Sequence, residues 1–179
     1  MKSFAAILSL TLVAIAGTLQ AADAPKQPSP EMKKLEVFVG KWKYEETEVP
    51  TPFGPGGKSS YRAVDRLVHD GFFLEERATG QSPGGALSWT WYAWFDVDSG
   101  VFRSTAYETG GRIAAGTFTI EANVMTGFGE RKVGEKTYKT RTVFRMVPDQ
   151  KVYTYEASYS EDGNTWKPWY TGKATKVGR

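Results

Sequence analysis

An alternation of apolar and polar residues with a period of two covers most of the chain after Lys41. Such alternation is typical of β-strands that bury one face. It is interrupted at short intervals by turn residues such as Asp70-Gly71, Gly110-Gly111, Gly134-Glu135 and Pro148-Asp149, which suit hairpins between antiparallel neighbours. The pattern predicts ten strands, at about residues 41–48, 59–68, 72–80, 87–96, 101–108, 112–120, 124–133, 136–147, 151–160 and 166–176.

Ten consecutive antiparallel strands in one small domain predict a meander. An open sheet of this kind would leave two exposed edges, and closure into a barrel removes them. We therefore expect an all-β fold, a single antiparallel up-and-down β-barrel of about ten strands. A barrel of this strand number can hold either a core filled by side chains or a cavity for a small molecule.

A short helix is predicted directly before the first strand. Ser29-Pro30-Glu31 combines a capping hydroxyl, a proline in the first turn and an early acidic residue. Met32, Leu35 and Phe38 follow at helical spacing, and Gly40 is a natural end point. We expect this helix to close one end of the barrel.

The first residues have the order of a secretory signal peptide, with Met1-Lys2 before an apolar run and Leu19-Gln20-Ala21 at its exit. We predict a signal peptide at 1–21, a flexible linker at 22–29 and one barrel domain at 30–179. The chain has no cysteine, so it has no acceptor for a lipoprotein anchor and no disulfide. The prediction is a periplasmic or secreted protein without stable membrane insertion after cleavage.

The charge balance gives no sign of a nucleic-acid partner. Loss of Lys2 with the signal peptide leaves 22 basic and 20 acidic residues, and the densest basic segment, Arg131 to Arg145, is interleaved with Glu, Thr and aromatic residues. Nucleic-acid binding requires a clustered basic surface.

An alternative function is a protein-interaction or structural domain. The oligomeric state stays open between a monomer and a homodimer that pairs through aromatic residues such as Trp166 and Trp169.

Gly40-Lys41-Trp42 after a short helix resembles the G-x-W signature on the first strand of lipocalins and their calycin relatives. In those proteins a basic residue near the end of the last strand packs over the tryptophan. The resemblance implies that Lys173 or Lys176 has this position here.

The chain also resembles a bacterial lipocalin-like family catalogued as domain of unknown function 1579. The matching patterns are P-E-M-K-K-L-x-x-x-V-G-x-W from Pro30 to Trp42, D-G-x-F-L from Asp70 to Leu74 and F-D-x-x-x-G-x-F from Phe95 to Phe102. This resemblance implies a calycin-type barrel, and it supplies no catalytic residues.

Aromatic residues that line a cavity together with a few polar groups are typical of a ligand site. The sequence has 6 Trp, 9 Tyr and 10 Phe, which could instead fill the core. We predict that the barrel binds a hydrophobic or amphipathic small molecule, although a one-residue shift would exchange its two faces. The predicted ligand-binding residues are the wall aromatics Trp42, Tyr61, Trp89, Trp91, Tyr107 and Tyr155 and the polar anchors Glu75, Arg103 and Arg141.

Two carboxylate pairs, Glu45-Glu46 and Glu75-Glu76, lie within predicted strands. Because adjacent strand residues face opposite ways, one member of each pair should point inward. An inward carboxylate requires a partner, because an unpaired buried charge is costly. Such a group could recognise a ligand, act as the acid or base of an isomerase- or decarboxylase-like enzyme, or form a structural ion pair.

Other chemistry has little support. Without a cysteine or a G-x-S-x-G motif, and with His69 as the sole histidine, the chain lacks the parts of a nucleophilic or His/Cys metal site. Nitrobindins, which are related ten-stranded barrels, bind haem through a histidine late in the chain, whereas His69 lies early and beside a turn. No metal and no cofactor are predicted.

Overall fold

The structure of the protein is a computed structural model, and it describes residues 27–147 and 151–178. The predicted signal peptide, most of the predicted linker and the Pro148-Asp149 turn lie outside these residues. A 3₁₀ helix is followed by ten strands. Their bounds are Pro30–Phe38 for the helix, then β1 Gly40–Glu48, β2 Gly57–Val68, β3 Phe73–Ser82, β4 Gly85–Asp96, β5 Val101–Glu108, β6 Arg112–Glu121, β7 Val124–Val133, β8 Lys136–Val147, β9 Val152–Ser160 and β10 Lys167–Gly178.

Each strand pairs antiparallel with its neighbours in the chain, and β1 also pairs with β10, so the sheet closes into a barrel. The predicted all-β up-and-down barrel of ten strands is confirmed. Closure satisfies the backbone groups that an open sheet would expose at its edges. Within the described residues, no helix has both the length and the apolar character required to cross a membrane.

The N-terminal helix packs under the end of the barrel at which β1 begins. Its Ser29 hydroxyl accepts a hydrogen bond from the Glu31 amide at 3.3 Å. The buried residues Met32, Leu35 and Phe38 are three apart, which matches the three residues per turn of a 3₁₀ helix. Their burial closes this end, which we call the floor.

Trp42 joins the helix to the barrel. Its indole Nε1 donates a hydrogen bond of 2.6 Å to the Phe38 carbonyl, and its side chain is 2% exposed. Of the two lysines proposed to cover it, Lys176 does so, with Nζ 5.3 Å from the ring centroid. The helix ends at Phe38 with Val39 as its C-cap, so Gly40 lies directly after the helix end, as expected, and begins β1 with φ +146°; a Cβ there would overlap the Lys176 side chain.

Candidate ligand-binding cavity

The barrel interior holds a cavity of about 710 Å³. It extends from Phe38 at the floor to the opposite end, where the long loop with Phe53 and the short turns at Pro83 and Thr109 form a mouth. Cavities of this volume are typical of sites for small molecules. The barrel is therefore not filled completely by its own aromatic side chains.

One wall, formed by β1, β2, β9 and β10, is rich in tyrosine. Tyr44 and Tyr61 stack with ring centroids 4.4 Å apart, and the hydroxyls of Tyr61 and Tyr155 lie 2.9 Å apart. Tyr61 lies opposite Gly80, and Tyr155 lies opposite Gly172. A Cβ at Gly172 would overlap the Tyr155 ring, and a Cβ at Gly80 would overlap the Ser60 carbonyl oxygen and the Tyr61 Cβ, so both positions need glycine for this close approach.

The other wall, formed by β5, β6 and β7, is built from small residues. Its inward positions include Ala106, Ala114, Gly116, Gly127 and Gly129, all of which line the cavity. At Gly127 an added Cβ would have no neighbour closer than 3.8 Å. The open volume of the barrel lies against this wall because its side chains are short.

Glu76 is the inward carboxylate of its pair and lies near the floor. It accepts hydrogen bonds from the Tyr44 hydroxyl at 2.9 Å and from the Trp89 Nε1 at 2.6 Å. Tyr44 also hydrogen bonds to the hydroxyl of Tyr153. Burial raises the pKa of Glu76 from its usual value, and the two donated hydrogen bonds oppose that rise.

Asp65 lies directly opposite Glu76 on the neighbouring strand and is 3% exposed. Its Oδ1 has no hydrogen-bond partner among the described residues. Burial and the charge of Glu76 raise the pKa of Asp65, whereas Lys176 lowers it. Glu76 receives two donated hydrogen bonds that favour its charged form, whereas Asp65 Oδ1 receives none, so the protonated form is favoured on Asp65 rather than on Glu76.

Glu46 lies higher in the cavity, between the floor and the mouth. Burial and the nearby Glu48 carboxylate raise its pKa to about 7, against hydrogen bonding from Tyr155 and Tyr61. Near neutral pH both the protonated and the ionised form of Glu46 are therefore populated. We call Glu46, Asp65 and Glu76 the interior carboxyls.

The mouth carries the basic residues of the cavity. The Arg131 guanidinium lies 4.9 Å from the Phe53 ring centroid and 5.0 Å from that of Trp169. Arg112 forms an ion pair with Glu108 on the neighbouring strand. The positive charges at the mouth are thus separated from the interior carboxyls below.

A family model described as "Protein of unknown function (DUF1579)" matches residues 27–176. The chain belongs to the DUF1579 family. Its structure is similar to the crystal structure of Rv2717c from M. tuberculosis, with a TM-score of 0.59, 14% sequence identity, and coverage of 84% of this chain and 99% of that one. This likeness supports the barrel fold alone. No curated protein matches the sequence significantly.

In this DUF1579 protein, four of the nine predicted ligand-binding residues line the cavity: Tyr61, Trp89, Trp91 and Tyr155. Trp42 also points inward, but it lies below the cavity in the packed floor, against Tyr153 at a centroid distance of 4.9 Å. Its place indicates a structural role in sealing the barrel.

The other four predicted residues lie on the outer face of the barrel. Glu75 binds Arg66 and Arg77, Arg103 forms an ion pair of 2.6 Å with Asp96, and Tyr107 is 51% exposed. The Arg141 guanidinium lies 4.6 Å from the Trp166 ring centroid, next to the loop before β10. The expectation that they face the interior is wrong because each belongs to the outward phase of its strand.

Two further expectations about exposed residues are resolved by the geometry. His69 lies outside the cavity in the turn before β3, where its ring is 5.7 Å from that of Phe73. His69 therefore cannot ligate a group inside the barrel.

Trp169, proposed as an exposed pairing surface, faces the mouth and contacts Phe53 at a centroid distance of 4.5 Å.

The interior carboxyls were missed as individual sites, although the sequence contained a signal for them. In β3 the apolar residues Leu74 and Ala78 share a phase with Glu76, while Arg77 shares a phase with Glu75. Apolar neighbours mark the inner face. The expectation of a charged partner placed Glu75 inward together with Arg103 and Arg141, whereas the inward Glu76 is held by neutral Tyr and Trp donors, which are cheaper to bury than a cation.

Proposed function

We propose that this protein binds an amphipathic small molecule inside its barrel. The observation that carries the proposal is the cavity of about 710 Å³, open at one end and lined by aromatic rings, small residues and a few carboxyls. A protein that needed only a stable core would fill such a space, because an empty cavity weakens packing. The small-residue wall instead leaves room for a ligand opposite the tyrosines.

Native mass spectrometry of protein purified from its own host tests this proposal. We expect a bound molecule that is released on denaturation. Gly127→Phe should displace it, because the new ring would enter the cavity, whereas Thr126→Phe places the same ring on the other face of β7. A homogeneous apo mass, together with no fluorescence response to apolar dyes, would count against a binding barrel.

A second candidate function is acid/base catalysis in the same cavity. It is favoured by the pairing of Asp65 with Glu76 beside the hydroxyls of Tyr44 and Tyr153. A buried carboxyl that keeps its proton, near a second carboxyl and tyrosine hydroxyls, can supply a general acid and a base. The reaction class would be proton transfer next to a carbonyl, as in isomerases.

Deuterium exchange into small unsaturated ketones, followed by NMR, tests the catalytic candidate. Exchange above the buffer rate that is lost in Asp65→Asn but kept in the exposed Asp98→Asn would support it. Exchange at the buffer rate for every ketone would leave binding as the function.

We also propose that the protein is exported, on the strength of its N-terminal sequence alone. Fractionation of host cells should find a C-terminally tagged chain outside the cytoplasm, with Ala22 as its first residue. Recovery of the uncleaved chain from the cytoplasm would contradict export.

A further inference from the structure

The interior carboxyls have too little positive charge near them. None of the ion pairs among the described residues includes Glu46, Asp65 or Glu76. Lys176 acts on Asp65 from the floor, and the remaining groups that act on the three carboxyls are acids, tyrosines and Trp89. The negative charges of Glu76 and of ionised Glu46 therefore have no counter-charge among the described residues.

The barrel already holds its own cations on aromatic faces at both ends of the cavity. Lys176 lies over Trp42 at the floor, and Arg131 lies against Phe53 and Trp169 at the mouth. Between them, Tyr61, Tyr155 and Trp89 surround the interior carboxyls without a basic side chain of the described chain among them. Ring faces and carboxylates together are the groups that bind organic cations.

The Asp65 carboxyl has an oxygen without a hydrogen-bond partner among the described residues. The Asp65 side chain lines the cavity and is almost fully buried, yet its Oδ1 receives no hydrogen bond within the described residues. A buried polar atom without a hydrogen-bond partner costs free energy that a ligand group can recover, and an approaching cation would also favour the ionised form of Asp65, whose oxygens are then acceptors. A primary ammonium group carries three such donors and a positive charge.

We propose that the ligand is an organic cation, an amphipathic amine whose ammonium group enters among Glu46, Asp65 and Glu76. Its apolar part then lies along the small-residue wall toward the mouth. This inference rests on the proposed binding function and specifies its ligand class. A fatty carboxylate is disfavoured, because its negative charge would lie next to Glu76 and ionised Glu46.

Three probes of matched size and different charge test the ligand class: phenylbutylamine, phenylbutanol and phenylbutyrate. Isothermal titration calorimetry at neutral pH should find the amine at least about tenfold tighter than the alcohol, which is the effect of one charge-assisted hydrogen bond. Phenylbutyrate should bind most weakly. The amine affinity should also rise between about pH 6 and 8 as Glu46, which faces Glu48, Tyr61 and Tyr155, loses its proton.

Variants on the two faces of one strand locate the interaction. Glu46→Gln should weaken amine binding about tenfold and change alcohol binding less than about twofold. Its neighbour Glu45, which faces outward toward Lys43 at 2.9 Å, provides the matched control Glu45→Gln with unchanged affinities. Circular dichroism verifies that both variants fold.

The outcomes separate this inference from the proposed function. Equal affinities for amine and alcohol, or tighter binding of phenylbutyrate, would overturn the amine assignment while binding itself stood. Failure of all three probes, with no ligand on the host-purified protein, would overturn the binding function as well.

Discussion

Glu75 and Glu76 are adjacent in β3, yet they behave as opposite kinds of carboxyl. On the outer face, burial would raise the pKa of Glu75, but hydrogen bonds from Arg77, Tyr92 and Arg66 outweigh it and lower the pKa to about 2. On the inner face, the donors to Glu76 among the described residues are neutral, and burial raises its pKa. Glu75 is thus held by ion pairs, whereas Glu76 has no basic partner in the described part of the chain.

The charge on the outer carboxyl Glu75 stabilises the fold, whereas the charge on the inner carboxyl Glu76 does not. An outer carboxylate with two arginines is charged, paired and stabilising. An inner carboxyl without a cation costs free energy whenever it ionises. Changes of pH and substitutions should therefore have different effects on the free energy of unfolding at the outer face and at the inner face.

The largest difference in stability should be found between an inner residue at the floor, Trp42, and an outer residue, Tyr107. Trp42→Ala removes a 2% exposed ring and its hydrogen bond to Phe38, and we expect a loss of about 3–5 kcal/mol in the free energy of unfolding. Tyr107→Ala, on the outer face and 51% exposed, should lose less than about 1 kcal/mol. Urea denaturation measures both values. If Trp42→Ala unfolded like the parent but lost ligand binding, Trp42 would belong to the site and not to the seal.

A smaller loss of stability is expected from an added methyl group at Gly172, where the inner face has no side chain. Gly172→Ala would push its Cβ into the Tyr155 ring and separate the Tyr61 and Tyr155 hydroxyls. We expect a loss of about 2 kcal/mol, which is typical of overpacking. At Gly84, in the turn after β3, an added Cβ would meet Ser82 Oγ at an ordinary 3.6 Å, so Gly84→Ala is the matched control. Similar unfolding midpoints for the two variants would show that the tyrosine wall is loosely packed.

The two faces should also respond to pH in opposite directions. For Glu75 the folded pKa of about 2 lies below the ordinary 4.5, so its contribution to stability grows from about pH 2 to 4.5 and is complete above that range. For Glu46 the folded pKa of about 7 lies above 4.5, so stability falls from about pH 4.5 to 7. We expect a loss of about 2–3 kcal/mol over this second range, and a stability maximum near its lower end.

Denaturation at a series of pH values checks this prediction. Glu46→Gln should flatten the decline above about pH 4.5, because the inner carboxyl no longer ionises, while the outer Glu45→Gln should leave it in place. Stability that rose continuously up to pH 7 would show that the interior carboxyls are balanced by a charge inside the barrel.

The fold was largely predictable from local signals. The turns at Asp70-Gly71 and Gly110-Gly111 and the motif from Pro30 to Trp42 depend on residues close in the sequence, so the strands and the sealed floor could be inferred. The inner face was harder, because each strand's phase depends on its neighbours' register. Glu75 and Arg141 were assigned inward on the chemical expectation of an ion pair. The inward phase of Glu76 could be inferred from Leu74 and Ala78 on its own strand, whereas its position opposite Asp65 required the register between β2 and β3.

The smallest expected effect concerns the outer carboxyl itself. Glu75→Gln removes the charge that Arg66 and Arg77 share. It keeps an acceptor for the Tyr92 hydroxyl, which in the parent protein lies 2.7 Å from Glu75 Oε2. Since both arginines are more than half exposed, water can replace much of the interaction, and the loss should be about 1 kcal/mol at neutral pH. Below pH 2 parent and variant should converge, because the parent carboxyl is then protonated too. The inner Glu76→Gln removes a charge that has no cation beside it, so it should leave stability unchanged or raise it at neutral pH. A larger loss in Glu76→Gln than in Glu75→Gln would reverse the contrast between the two faces.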